Sequence, residues 1–327
     1  MENENFQYQN RIDLSSLKIT VDKIRAEIQK VIVGQDTAID LLLTAILSDG
    51  HILIEGVPGV AKTIIAKLIA KCISAPFSRI QFTPDLMPSD VIGTSIFNEK
   101  TADFEFKKGP VFSHIVLIDE INRAPAKTQA ALFEVMAERQ ITIDGTTQEF
   151  SRPFTIFATQ NPVEQEGTYR LPEAQLDRFL FKIEINYPEL QEEIEIIRKH
   201  NEMKTQNELD GIEPVVSAEE IVSYQNLIKS VHVEDSLIEY IAKIVTSTRT
   251  NANLYLGASP RASIAVLNAS KAYAALHGKD FITPDDVKYI APSVLKHRII
   301  LTPEREMEGL TPTMVVKQIV EGIEIPR

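Results

Sequence analysis

Gly56-Val57-Pro58-Gly59-Val60-Ala61-Lys62-Thr63 decides how this chain is read, because of what flanks it. Ile52-Leu53-Ile54 before it is a short apolar run with the character of a buried strand. Behind it, Ile64, Ile65, Leu68 and Ile69 repeat at helical spacing as far as Cys72. Strand, glycine-bearing loop, lysine, hydroxyl residue and helix is the context in which such a loop cradles phosphate. Loop N–H groups and a helix N-terminus bind an anion without a counter-charge. Lys62 then reaches the β- and γ-phosphates as a point charge, and the Thr63 hydroxyl can ligate Mg²⁺. One residue departs from the pattern: glycine is expected where Ala61 stands, and a methyl there excludes backbone conformations open only to glycine. Nucleotide binding is expected of Gly56, Val57, Pro58, Gly59, Val60, Ala61, Lys62, Thr63 and Ile64.

Two more strand tips carry polar groups. Ile115-Val116-Leu117-Ile118 runs into Asp119-Glu120, two adjacent carboxylates at the end of a buried strand. Asp119 is expected to hold the Mg²⁺ shell, usually through water, and Glu120 to orient or deprotonate the attacking water. Phe154 to Ala158 is a third apolar run, ending at Thr159-Gln160-Asn161. Asn161 is placed to hydrogen-bond a γ-phosphate and the lytic water, since strands of such sheets carry their sites at the carboxyl ends.

Two arginines stand apart. Arg178 lies in Leu171 to Phe179, and Arg261 in Gly257-Ala258-Ser259-Pro260-Arg261-Ala262. The latter reads as a helix start, with Ser259 as N-cap and Pro260 first in the helix. A cation in that first turn is unfavourable unless an anion answers it, and a bound phosphate would do so. For either arginine a surface ion pair is the plainer alternative.

Taken in order, these segments resemble the MoxR family of AAA+ ATPases. The resemblance also rests on Val33-Gly34-Gln35, on Arg79 through Asp90, on Gly109-Pro110, on Asp119-Glu120-Ile121-Asn122-Arg123-Ala124 and on Ala158 through Pro162. It implies an α/β fold: an AAA+ P-loop NTPase core, with a parallel sheet flanked by helices, plus a C-terminal all-α lid domain. It implies ATP and Mg²⁺ as cofactors. Gly34 and Gln35 take the place of the adenine-facing loop, Asn161 of sensor 1 and Arg261 of sensor 2. Arg178 matches the arginine finger, which acts on ATP held by a neighbouring subunit. Arg170, where relatives more often have proline, is a second candidate for the finger, and Arg123 a third. Ala61 is common in this family. The implied active unit is a homo-hexameric ring, and the implied partner a protein client, in this family often one with a von Willebrand factor A domain.

The 327 residues suggest two domains. Residues 12–187 read as the α/β nucleotide-binding domain, 188–214 as a linker helix and loop, 215–327 as the helical lid, and 1–11 as a polar, flexible N-terminus. Leu17, Val21, Ile24, Ile28 and Val31 form one helical stripe. Thr94 to Lys107 reads as a hairpin-like insert carrying Ile96, Phe97, Phe104 and Phe106. Ile141 to Thr146 is a second hairpin, turning at Asp144-Gly145. In the resembled family both positions face the central pore. Asn201 to Pro214 is polar and reads as a flexible boundary, and Thr283-Pro284-Asp285-Asp286 as a helix start.

Hydrophobic content of 44% and charged content of 24% are those of a soluble globular protein. Cys72 is the sole cysteine, which excludes an intrachain disulfide and fits a reducing, cytoplasmic location. No apolar run is long enough to span a bilayer. The net charge of −12, with no cluster of Lys and Arg, argues against a nucleic-acid partner. Three functions compete. The foremost is a Mg²⁺-dependent ATPase that remodels or assembles a protein partner. A nucleic-acid motor of a related branch is the second; DNA-stimulated hydrolysis would reveal it. A non-hydrolysing nucleotide switch is the third, and intact Lys62, Asp119 and Glu120 argue against it.

Overall fold

The computed structural model describes residues 12–57, 59–161, 169, 171–202 and 209–326. Among the described residues, nine strands occur up to residue 185: β1 (Ile52–Gly56), β2 (Phe77–Gln81), β3 (Gly93–Asn98), β4 (Asp103–Lys108), β5 (Ile115–Asp119), β6 (Gln140–Ile143), β7 (Thr146–Glu149), β8 (Thr155–Gln160) and β9 (Phe181–Ile185). Five of them form a parallel sheet in the order β2-β5-β8-β1-β9. The interior strand β5 is buried at every position, and the central strand β8 at all but its last. Continuous apolar runs are what a sheet covered on both faces requires. The edge strands β2 and β9 interleave exposed positions instead.

Side chains alternate across that sheet. Ile52, Ile54, Ile115, Leu117 and Phe157 enter one apolar core, while Leu53, Val116, Ile118, Ile156 and Ala158 enter the other. The first core is built with α1 (Ser15–Gln29), α2 (Asp36–Leu47) and α3 (Lys62–Cys72). Leu17, Val21, Ile24 and Ile28 line its α1 face as the stripe predicts, and Cys72 is buried in it. Burial pushes the Cys72 thiol up to about 12, an inert core position. On the other face lie α4 (Pro88–Ile92) and α5 (Ala126–Glu138). The short α6 (Glu173–Leu176) precedes β9.

Helices dominate beyond β9: α7 (Leu190–Glu202), α8 (Ala218–Ile228), α9 (Asp235–Thr250), α10 (Pro260–Leu276), α11 (Pro284–Leu295), α12 (Pro303–Met307) and α13 (Pro312–Gly322). A two-stranded pair, Leu254–Leu256 with Ile300–Leu301, ties the ends of α9 and α11 together and has no clear signature in the sequence. The helical region shares its apolar core with α1 and α2, and Gln225 donates a buried hydrogen bond to the Ile46 carbonyl at 2.7 Å. Among the described residues no helix is long and apolar enough to cross a membrane.

Two expectations change here. Residues 1–11 and 203–208 lie outside the described residues, but the rest of the polar boundary is docked. Ile212 is buried, and the Val215 and Val216 N–H groups donate to the Cys72 carbonyl at 2.7 and 3.1 Å. An apolar Ile-x-x-Val-Val pattern hidden among acids anchors what reads as a flexible tether. The insert hairpin β3–β4 forms as expected, with Phe97 and Phe104 edge-on at 5.4 Å and exposed together with Ile96. Phe106, however, packs against Phe112 and is half-buried.

Candidate nucleotide site

The loop after β1 leads into α3 at the carboxyl end of the sheet. Pro58 lies outside the described residues. At Gly56 a Cβ would come within 2.8 Å of the Ile185 carbonyl, so that position needs glycine. Gly59 has a φ of +88°, with nothing near its missing Cβ. Ala61 takes the left-handed conformation, φ 58° and ψ 17°. Its methyl therefore does not exclude the turn that glycine would make; it only makes that turn costlier. Lys62 and Thr63 open α3, and Lys62 Nζ donates to the Gly56 carbonyl at 2.5 Å across the loop. Val60 is buried under the loop, with Ile64 half-buried behind it.

Asp119 ends β5, two strands from β1, with β8 between them. The register sets Ile54 and Thr159 side by side, so the tips of all three strands align. Thr159 joins them: its hydroxyl donates to Asp119 Oδ1 at 3.2 Å and accepts from the Glu120 N–H at 3.0 Å. Asn161 follows on the same tip and is buried. The buried Asp119 also takes Arg79 Nε on Oδ2 at 2.6 Å. Glu120 sits at φ 58° and ψ 52°, its carboxylate held by Gln81 Nε2 at 2.8 Å and Arg123 Nε at 3.1 Å. Arg79, Gln81 and Thr159 were not assigned roles from the sequence. Alternation along β2 is the signal that could have found the first two, since it sends residues 79 and 81 to one face.

Gly34 and Gln35 lie where α7 crosses the start of α2. Gly34 has a φ of +66°, and a Cβ there would fall 2.0 Å from Glu192 Oε1. Gln35 Nε2 donates to the Asn186 carbonyl at 3.3 Å. Both belong to a close junction between the loop before α2 and the segment after β9.

The two arginines are elsewhere. His51, just before β1, accepts the Leu180 N–H on its carbonyl at 2.7 Å, which places Asp177 to Leu180 at the amino end of the sheet. β1 is five residues long, so this end is about 16 Å from the phosphate loop. Arg178 and Arg261 together line a cleft there of about 570 Å³, with Asp49, Arg139, Asp177 and Arg298. Arg178 donates to the Phe133 carbonyl at 3.1 Å. Arg261, 64% exposed, is 3.8 Å from Asp177. Within its own chain the anion facing Arg261 is the Asp177 carboxylate, the ion pair that stands as the plainer alternative to a phosphate. Ser259 and Pro260 open α10 as expected, with one difference. Ser259 stands at the N-cap position of α10 but makes no capping bond; its hydroxyl donates to Asp177 Oδ2 at 3.1 Å. Arg123 is paired with Glu120 of its own chain, and Arg170 lies outside the described residues.

A phosphate loop, acids on the tip of the next strand but one and a helical C-terminal region define an AAA+ ATPase. The family described as "ATPase family associated with various cellular activities (AAA)" matches residues 51–181, and the AAA lid domain matches residues 246–319. The chain is 47% identical to the uncharacterized protein YeaC of Bacillus subtilis, covering 91% of this chain and 92% of that one. It is 40% identical to chaperone MoxR1 of Mycobacterium tuberculosis, over 94% of this chain and 83% of that one. A crystal structure of a candidate ATPase from Cytophaga hutchinsonii superposes with a TM-score of 0.89 at 43% identity, covering 96% and 97% of the two chains. The chain belongs to the MoxR family of AAA+ ATPases.

Proposed function

We propose that this protein hydrolyses ATP with Mg²⁺ and uses the energy to remodel a protein client. The observation that supports the reading is the alignment of the tips of β5, β8 and β1, with the Thr159 hydroxyl bonded to Asp119 and to the Glu120 N–H. The residues fit the ligand. Gly56 and Gly59 supply backbone where a side chain would collide or strain, and the Lys62 ammonium donates across the loop to the Gly56 carbonyl, a bond that a phosphate can replace. Mg²⁺, when bound with the nucleotide, would offset charge on the phosphates. Among the described residues no group of three His, Cys, Asp or Glu could cage a metal. Thr63 and Asp119 would hold it jointly with the phosphates. Thr159 and Arg79 keep Asp119 oriented, while Gln81 and Arg123 hold Glu120 until water and γ-phosphate arrive. Glu120 then orients the water and takes its proton, and Asn161 fixes the γ-phosphate.

Arg178 and Arg261 are too far from their own loop to serve it in this conformation. Both would act on ATP bound by the next subunit of a homo-hexameric ring, where a finger is worth about 10³–10⁵ in rate. Gly34 and Gln35 would border the adenine. The name of the relative MoxR1 supports a chaperone role, and the exposed Ile96, Phe97 and Phe104 offer apolar contact to a client such as a von Willebrand factor A domain protein.

Lys62→Ala is expected to abolish ATP binding. Glu120→Gln is expected to keep binding and lower turnover by about 10²-fold or more. Equal turnover in Glu120→Gln and the natural protein would refute the role of Glu120.

A further inference from the structure

Three consecutive residues after α11 fasten the helical region to β9 and to the segment just before it. Lys296 Nζ donates to Glu184 Oε1 at 2.8 Å, and His297 Nε2 to the Phe179 carbonyl at 2.9 Å. Arg298 does more. Its side chain is 3% exposed and its guanidinium is spread over one short stretch of the core. Nε donates to Asp177 Oδ1 at 2.7 Å and one terminal nitrogen to the Leu180 carbonyl at 3.0 Å. The other terminal nitrogen donates to the Asp177 carbonyl at 3.2 Å and the Phe179 carbonyl at 2.5 Å. Val294, one turn back on α11, accepts as well.

The residue enclosed by these contacts is Arg178. Its backbone neighbours on both sides are tied to Arg298, while its own guanidinium donates to the Phe133 carbonyl. Asp177, held by Arg298, is also the carboxylate that Ser259 and Arg261 approach from α10. One buried guanidinium therefore sets the origin of both Arg178 and Arg261. An exposed ion pair is worth little, but a planar fork on several acceptors fixes direction as well as distance.

We propose that Arg298 is the positioning residue of the arginine pair, the element through which the helical domain aims Arg178 and Arg261 at ATP on the next subunit. This rests on the reading above that Arg178 acts on a neighbour's ATP. Tilting of the helical domain against the sheet would then move the pair, because the Lys296–Arg298 turn is rigidly joined to both.

Subunit mixing tests this directionally. Arg298→Lys keeps a positive charge against Asp177 but cannot reach all five acceptors. A misplacement of 1 Å can cost about 10²-fold in rate, and a loss of that order in kcat is expected of the pure variant, with binding of a fluorescent ATP analogue unchanged. As a control, Lys62→Ala mixed with Arg178→Ala should regain partial turnover in assembled rings. If that mixture stays inactive, the trans reading fails and the proposal falls with it. Arg298→Lys mixed with Lys62→Ala should regain as much as the control, because the first lends an intact site and the second intact arginines. The Lys62→Ala/Arg298→Lys double variant mixed with Arg178→Ala should regain nothing. Rescue equal to the control in this last mixture overturns the proposal. Asp177→Asn, which keeps the side-chain shape, is carried through the same mixtures with the same expectations. Loss of ATP binding by both variants would show a merely structural role and would also overturn it.

Discussion

Ala61 and Glu120 both hold left-handed backbone at the site, at φ 58°. For a non-glycine residue that conformation costs on the order of 1–2 kcal/mol. The cost at Glu120 comes with a purpose: the bend turns its carboxylate off the strand line toward Gln81 and Arg123. At Ala61 the methyl packs at the edge of the core and has no polar group to place, so Ala61→Gly is expected to remove strain. Glycine's greater freedom in the unfolded chain offsets part of the gain, leaving a rise in stability of up to about 1 kcal/mol. Urea unfolding of the two proteins measures this, and a lower midpoint for the glycine variant would contradict it.

At the scale of elements, three helix starts in the C-terminal half have the same polar-residue grammar but different outcomes. Ser217 and Thr283 close capping boxes with Glu220 and Asp286. Ser259 makes no cap and spends its hydroxyl on Asp177 of the core. Thr283→Ala is therefore expected to cost about 1 kcal/mol of stability by thermal unfolding. Ser259→Ala is expected to leave α10 intact by circular dichroism, while hydrogen exchange at 177–180 quickens. A loss of helix signal in the Ser259 variant would restore the capping role. Local pattern reads the position correctly in both cases. It cannot tell which acceptor or donor lies across the tertiary contact.

For the whole molecule, two histidines buried near the cleft set the response to acid. Burial, and then the charge of Arg139, hold the His51 pKa down at about 3; it bridges the Met136 carbonyl and the Ile156 N–H as a neutral ring. Burial and then Arg298 hold His297 well below its ordinary value. Unfolded, both titrate near 6.5. Above that pH neither state binds the proton and nothing is gained or lost. Below it the unfolded chain takes up protons that the folded chain refuses, so stability falls as pH falls, by about 1.4 kcal/mol per pH unit for each ring. Melting temperature is expected to drop between pH 6.5 and 5, before carboxylates titrate, and His51→Gln to make that slope shallower. A melting temperature flat across this window would show that these rings are not buried neutral.

The phosphate loop, the acidic strand tip and the helix starts are legible because each is written in contiguous residues whose spacing sets strand, turn or helix. Lys62, Thr63, Asp119 and Glu120 stand where that spacing puts them, at the carboxyl ends of β1 and β5. The partners that orient them are not contiguous. Arg79 meets Asp119 across 40 residues because β2 lies beside β5 in one register, and a slip of one position would turn Arg79 to the other face. Arg298 meets Asp177 across 121 residues because α11 packs on β9. The placing of Arg178 and Arg261 at the far end of the sheet from their own loop has the same origin. Local propensity acts over one helical turn or one strand. Which distant strand or helix lies alongside depends on burying both faces of the sheet at once, and that is settled by the packed chain as a whole.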